Sequence, residues 1–248
     1  MLDVDVGRWS AASMPFSVAR SVLDLLAPPR CLACRRRAPM PWCPACAAEV
    51  RVLPAGCSRC AAPRVRGHPC WPSSAPIDGT IAVYDYRGPV ATAVVTAKLH
   101  GAVAGWVPLG RALAMTVEAE HPDVDLVTWV TTPGVRVRSR GIDHARVLAA
   151  AVADRLDLPV LHALDAVQAP DGRDHYEALI DLPGSNVLLI DDVVTTGTTA
   201  VRAATALRRT GAGRIVLAVL ARAGAHPLNG VGQARMARIS GPSPQARW

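Results

Sequence analysis

The sequence predicts an α/β chain: a parallel sheet covered by helices on both faces, preceded by a small metal-organised module. Three observations carry that prediction. Apolar strand-like runs alternate with helix-like segments from residue 76 to about 220. All seven cysteines fall between positions 31 and 70. A short strand at 186–190, apolar from Val187 to Ile190, ends in two aspartates and a turn of small residues. The bulk composition narrows the class further. A chain of 248 residues that is 50% hydrophobic and 19% charged is not a disordered one. Neither 21 prolines nor 19 glycines make it low-complexity or collagen-like. No apolar run reaches the roughly 18 residues of a membrane span. Asp3 and Asp5 stand where a signal peptide would be basic, so a cytoplasmic location is expected.

Taken in order, residues 16–27 read as an amphipathic helix. Phe16, Ala19, Val22, Leu23 and Leu26 share a face, and Pro28-Pro29 stops it. The cysteine segment follows as Cys31-x2-Cys34, Cys43-x2-Cys46 and Cys57-x2-Cys60, then Cys70. Disulfides are rare in a cytosolic setting, whereas repeated CxxC pairs are the spacing of tetrahedral zinc. Each CxxC turn aims two thiolates at one ion, and two turns complete four ligands. Cys31, Cys34, Cys43 and Cys46 fill one site; Cys57, Cys60 and Cys70 leave a second one ligand short, and His68 supplies the fourth. Spacing alone leaves open a crossed arrangement that exchanges pairs between the sites. So short and proline-rich a segment, with few large apolar residues, folds as it binds metal.

Beyond residue 76 the expected elements are a strand at 80–86, a helix at 89–99 opened by Pro89, a helix at 105–119, an apolar strand at 126–130 and a helix at 142–156. The apolar strand at 186–190 and a helix from about 199 to 209, ended by Gly211 and Gly213, lead to a last strand at 214–220. The final 25 or so residues carry no periodicity and read as a loose tail. The implied domains are an N-terminal segment, 1–30; a double zinc ribbon, 31–75; the α/β domain, 76–224; and the tail, 225–248.

Charge is unevenly spread. Residues 1–75 carry ten basic against four acidic residues, residues 76–220 thirteen against sixteen, and residues 221–248 four against none. Basic ends on a mildly acidic centre suit a polyanionic partner, although an arginine-rich composition alone also produces them.

The sharpest motif is Val187-Leu188-Leu189-Ile190-Asp191-Asp192-Val193-Val194-Thr195-Thr196-Gly197-Thr198-Thr199. The turn at 195–199 presents N–H groups and hydroxyls at a helix N-terminus, where phosphate is favoured. Gly197 allows close backbone approach. Asp191 and Asp192 accept hydrogen bonds from a diol. A phosphate holder beside a diol holder describes a ribose 5-phosphate, at the carboxyl edge where open α/β sheets bind such ligands. The Gly-Lys-Ser/Thr ending of a Walker loop is missing.

These thirteen residues resemble the phosphoribosyl-pyrophosphate (PRPP) signature of type I phosphoribosyltransferases. The cysteine segment resembles the double zinc ribbon of ComF-type competence proteins. So does Tyr84–Gly101, ending Lys98-Leu99-His100-Gly101, and so does Arg138-Ser139-Arg140-Gly141-Ile142-Asp143-His144, which is similar to their Arg-x-Arg-Gly-Phe-Asn-Gln stretch. The resemblance covers about residues 16–220. It implies a type I phosphoribosyltransferase fold plus zinc ribbon, about two structural zinc ions, and Mg²⁺ arriving with PRPP. Asp191 and Asp192 would hold the ribose hydroxyls, and Thr195, Thr196, Gly197, Thr198 and Thr199 the 5-phosphate, with Val193 and Val194 between them. Lys98 and the turn to Gly101 would meet pyrophosphate. Arg136, Arg138 and Arg140 alternate, so that an extended loop brings all three to one anion, and Lys98, Arg138 and Arg140 are the candidate catalytic residues. Lys98 is the single lysine among 27 basic residues, a compact point charge where the chain otherwise uses arginine.

Three departures from the family pattern stand out. Thr195 replaces the acid of purine-salvage enzymes, the segment 167–182 is short, and Ile142-Asp143-His144 replaces Phe-Asn-Gln. Two functions follow: phosphoribosyl transfer to an unidentified acceptor, or non-catalytic PRPP or nucleotide binding in single-stranded DNA uptake, alongside DNA-uptake proteins. The basic ends and the missing base favour the second. With one Phe, three Tyr and six Trp, 4% of its residues, the chain is poor in aromatic groups for stacking bases.

Overall fold

The computed structural model describes residues 29–38, 41–63, 68, 70–100, 103–134, 142–168 and 174–224. The predicted helix at 16–27, the side chains of Arg136, Arg138 and Arg140, and the tail lie outside the described residues.

Chain order is α1 (Pro44–Glu49), β1 (Gly79–Asp85), α2 (Gly88–His100), α3 (Val103–Glu120), β2 (Leu126–Trp129), α4 (His144–Leu156), β3 (Leu164–Gln168), β4 (Asp174–Ala178), β5 (Val187–Val194), α5 (Thr198–Arg209) and β6 (Ile215–Arg222). The main sheet runs β1-β6-β5-β2, all parallel, and β3 pairs antiparallel with β4. Alternate residues of the central strands explain why both faces need cover. Leu188, Ile190, Val216, Ala218 and Leu220 point to the side of α2, α3 and α4, whose core includes Trp106, Leu109, Leu113 and Leu148. Val187, Leu189, Ile215, Leu217 and Val219 point to the other, where Ala203, Ala204 and Leu207 of α5 close the core. A strand buried on both sides reads as an unbroken apolar run, and β6 is buried along its whole length. Among the described residues no helix is long and apolar enough to cross a membrane.

The cysteine module straddles the β1 edge of this sheet. Arg51–Leu53 lie antiparallel along β1: Leu53 N–H donates to Val83 O at 2.8 Å and Asp85 N–H to Arg51 O at 3.0 Å. Thr80 N–H donates to Ser58 O at 2.8 Å. The edge is thus covered rather than left open to another chain. Leu32, with Trp42 and Val50, packs into the core on one face, while Cys60, Ala62 and Trp71 pack into the core on the other.

Three elements differ from the sequence-based expectation. The last turn of β5 extends to Val194, not Ile190, because β6 continues beside it: Asp191, Val193 and Val194 pair with Val219, Ala221 and Arg222. Paired backbone keeps two acids in a strand. The β3–β4 hairpin, which overlaps the segment noted only as short (167–182), was not among the expected elements; it packs against α5, and its residues show no apolar alternation to announce it. Helix α1 starts at Pro44 with the Cys43 sulfur accepting from Cys46 N–H, so it belongs to the cysteine turn itself.

Candidate phosphate-turn and metal sites

The parallel sheet brings every C-terminal strand end to one edge, and the 191–199 segment lies there. Asp191 N-terminally and the helix α5 at the other end bracket a turn whose four threonines are exposed and whose Gly197 is buried. Gly197 is the N-cap of α5 with φ +80°, a left-handed conformation glycine adopts without steric cost. Thr196 Oγ1 lies 3.1 Å from Thr198 Oγ1 and 3.5 Å from Thr198 N. Four exposed hydroxyls therefore stand at a helix start, where the first backbone amides lack intrahelical partners.

Beside the turn is a polar cavity of about 180 Å³ lined by Lys98, Thr131, Thr132, His144, Tyr176, Asp191, Asp192 and Thr199, among others. Lys98 Nζ, from α2, lies 2.7 Å from Asp192 Oδ2. Asp191 Oδ1 instead accepts from Asp192 N–H at 2.8 Å. Burial, then the neighbouring Asp192 charge, pushes the Asp191 carboxyl up to about 8. Asp143 stands at the start of α4, where its side chain does not cap the helix. Its Oδ2 accepts from the Trp129 indole N–H at 3.0 Å, and burial raises its carboxyl above the usual range. Three carboxyl groups and one ammonium thus meet at this edge. A larger open groove of about 760 Å³ runs between α3 and α4, lined by Val107, Val147 and Ala150 with Arg111 and Asp154; it lacks any anion-binding turn.

The sulfur and nitrogen atoms of the cysteine module gather into two groups: Cys31, Cys34, Cys43 and Cys46, and Cys57, Cys60, His68 and Cys70. Within each group every ligand atom lies within 4.8 Å of the others. A tetrahedral ion with bonds of about 2.3 Å separates its sulfurs by about 3.8 Å. The Cys34–Cys43 and Cys57–Cys70 sulfurs are 3.6 and 3.8 Å apart, so both donor sets fit zinc. The grouping is the uncrossed one, with His68 beside the three later cysteines.

A family model described as a phosphoribosyl transferase domain matches residues 143–234, and one described as a double zinc ribbon domain matches residues 22–73. The chain carries both domains. Among curated proteins, the ribose-phosphate pyrophosphokinase of Thermococcus kodakarensis is 40% identical over 67 residues, 27% of this chain and 24% of that protein. The orotate phosphoribosyltransferase of Coxiella burnetii is 31% identical over 101 residues, 41% of this chain and 43% of that protein. The chain therefore spans less than half the length of either curated relative. The solved purine phosphoribosyltransferase of Pyrococcus horikoshii aligns at 22% identity and a TM-score of 0.36 over 47% of this chain and 73% of that one. The fold is that of a type I phosphoribosyltransferase joined to an N-terminal zinc ribbon, whose two metal-ligand groups are those just described.

Of the residues the sequence singles out, Asp191, Asp192, Lys98 and Thr199 line one cavity. Sequence reasoning missed Thr131, Thr132 and Tyr176, which reach the cavity from the β2 end and from the unforeseen β4.

Proposed function

We propose that this chain binds PRPP, or a related ribose 5-phosphate, at residues 187–199, as a phosphoribosyltransferase-like protein of the ComF type. One observation carries the reading: two carboxylates, Asp191 and Asp192, stand at the C-terminal end of β5 next to an exposed threonine turn at a helix start, with Lys98 across the same cavity. The turn takes the 5-phosphate and the carboxylates take the ribose diol. Lys98 lies where pyrophosphate would extend, with Arg136, Arg138 and Arg140 as further cations. Asp191 and Asp192 would face any Mg²⁺ that arrives with PRPP, which would supply positive charge beside the pyrophosphate. In catalysis the ribose C1 bond to pyrophosphate loosens, and the protein's part is to position both partners and stabilise the separating charge. Metal at the two cysteine groups is structural. The units are 1–30, 31–75, 76–224 and 225–248.

A second reading, ligand binding without turnover in the handling of single-stranded DNA, is favoured by Thr195, a neutral hydroxyl where a general base would stand. Both readings share the ligand site. Calorimetry with PRPP and Mg²⁺ on the wild type and on Asp191→Asn/Asp192→Asn tests it. Charge-assisted hydrogen bonds contribute about 1.5–3 kcal/mol each, so the double variant should bind at least about tenfold more weakly while staying folded. Equal affinity in the two proteins removes the site. Pyrophosphate release with candidate acceptor bases then separates transferase from binder.

A further inference from the structure

The turn at 195–199 rests on the zinc ribbon. A Cβ built on Gly197 would lie 1.7 Å from Cζ3 and 2.2 Å from Cη2 of Trp71, so the indole ring is pressed directly against the glycine backbone. Trp71 cannot swing aside. It is 7% exposed, and its indole N–H is held by the Arg59 carbonyl and, at 3.2 Å, by Thr80 Oγ1 of β1. Thr80 Oγ1 in turn donates to Arg59 O at 2.6 Å. The Arg222 guanidinium, 6% exposed, lies 5.6 Å from the ring centroid. Arg222 is the register partner of Val194, the last β5 residue before the turn. Trp71 is bonded directly to Cys70, a member of the second metal-ligand group, and Arg59 stands between Cys57 and Cys60 of the same group.

We propose that Trp71 is a positioning residue for the anion turn. A glycine at φ +80° has a wide conformational range of its own, and the directions of the amides after it follow from where it settles. The indole limits that range from beneath, so that the amides and hydroxyls of Thr195–Thr199 are aimed outward before any ligand arrives. The ribbon's second metal group is then part of the ligand site's scaffold, without touching ligand. This rests on the reading of the turn as a phosphate cradle.

The test uses the full, zinc-loaded chain with Trp71→Leu and Trp71→Phe. Two quantities are read: affinity for ribose 5-phosphate and for pyrophosphate with Mg²⁺ by calorimetry, and amide exchange across 187–201 without ligand. Losing one hydrogen bond to a charged group weakens binding by about tenfold or more, so Trp71→Leu, by misaiming the turn, should weaken ribose 5-phosphate by about tenfold or more. Pyrophosphate, held on the Lys98 side, should be unaffected, and Trp71→Phe should recover most of the loss. Amides of Thr196, Thr198 and Thr199 should exchange faster in Trp71→Leu, with those of β5 unchanged. Unaltered exchange at the turn overturns the proposal, as does an equal loss of both ligands. If the wild type binds neither ligand while exchange at the turn still responds, the phosphate reading falls and the positioning role stands.

Discussion

Asp191 is the residue whose environment most changes its chemistry. An ordinary aspartate titrates near about 3.9, whereas burial and Asp192 push this one up to about 8. Between those values the folded chain keeps a proton that the unfolded chain has released. Stability is therefore greatest below the lower value and falls as pH rises through the upper one. Asp191→Asn removes that titration. In urea unfolding of zinc-loaded protein, the variant's advantage over wild type should grow from pH 6 to pH 8.5; a constant difference would mean that Asp191 ionises normally. Ligand binding runs the other way, since the ionised carboxylate is the better acceptor for a diol. The acid pair was legible because two adjacent carboxylates after an apolar strand are chemically conspicuous. What each does was not. That Asp192 faces Lys98 at 2.7 Å, and Asp191 turns to a backbone N–H, depends on how α2 lies against β5.

At the scale of elements, the ribbon is the least self-sufficient part and the most consequential. Its CxxC turns hold few apolar residues, so zinc organises it, and it then lends a strand-like segment to β1. Metal analysis should find about two zinc ions per chain, the number that two four-ligand groups require; a value near one would make His68 a bystander. Chelation should strip protection from the amides of Leu53, Thr80 and Asp85, which bond across the ribbon–sheet seam. Amides of β5 and β6, bonded to each other, should stay protected in the same exchange measurement. Loss of protection everywhere would show that the sheet has no stability apart from the ribbon. The α/β class was legible because central strands such as 187–190 and 215–220 are wholly apolar. The β3–β4 hairpin was not, since Asp165, Gln168, Asp174 and Glu177 break any alternation and its place is set by α5. Nor did spacing show that the cysteine module clasps an edge, because backbone pairing along 51–53 leaves no mark in side-chain pattern.

Across the whole molecule, charge is segregated, and the DNA reading follows from it. Arg35, Arg36 and Arg37 are exposed on the ribbon, which carries the basic charge that the mildly acidic α/β part lacks. Each phosphate neutralised on a single strand adds a slope of about −0.7 to log affinity against log salt. Replacing the three arginines by Gln in the full chain should flatten an oligonucleotide's slope by about 2 if all three meet phosphate, and leave PRPP affinity unchanged. An unchanged slope would move DNA contact off the ribbon, and no binding at low salt would leave the small-ligand reading alone. The covered β1 edge bears on how such a chain comes off the ribosome. The sheet partner of Gly79 is Val216, so β1 emerges long before the strand it will pair with is made. Strands left waiting for distant partners are exposed to aggregation. The segment 51–53 is already outside when β1 appears, and can occupy one side of it at once. Zinc uptake then becomes an early event in biogenesis, guarding a nascent strand until the last one is synthesised.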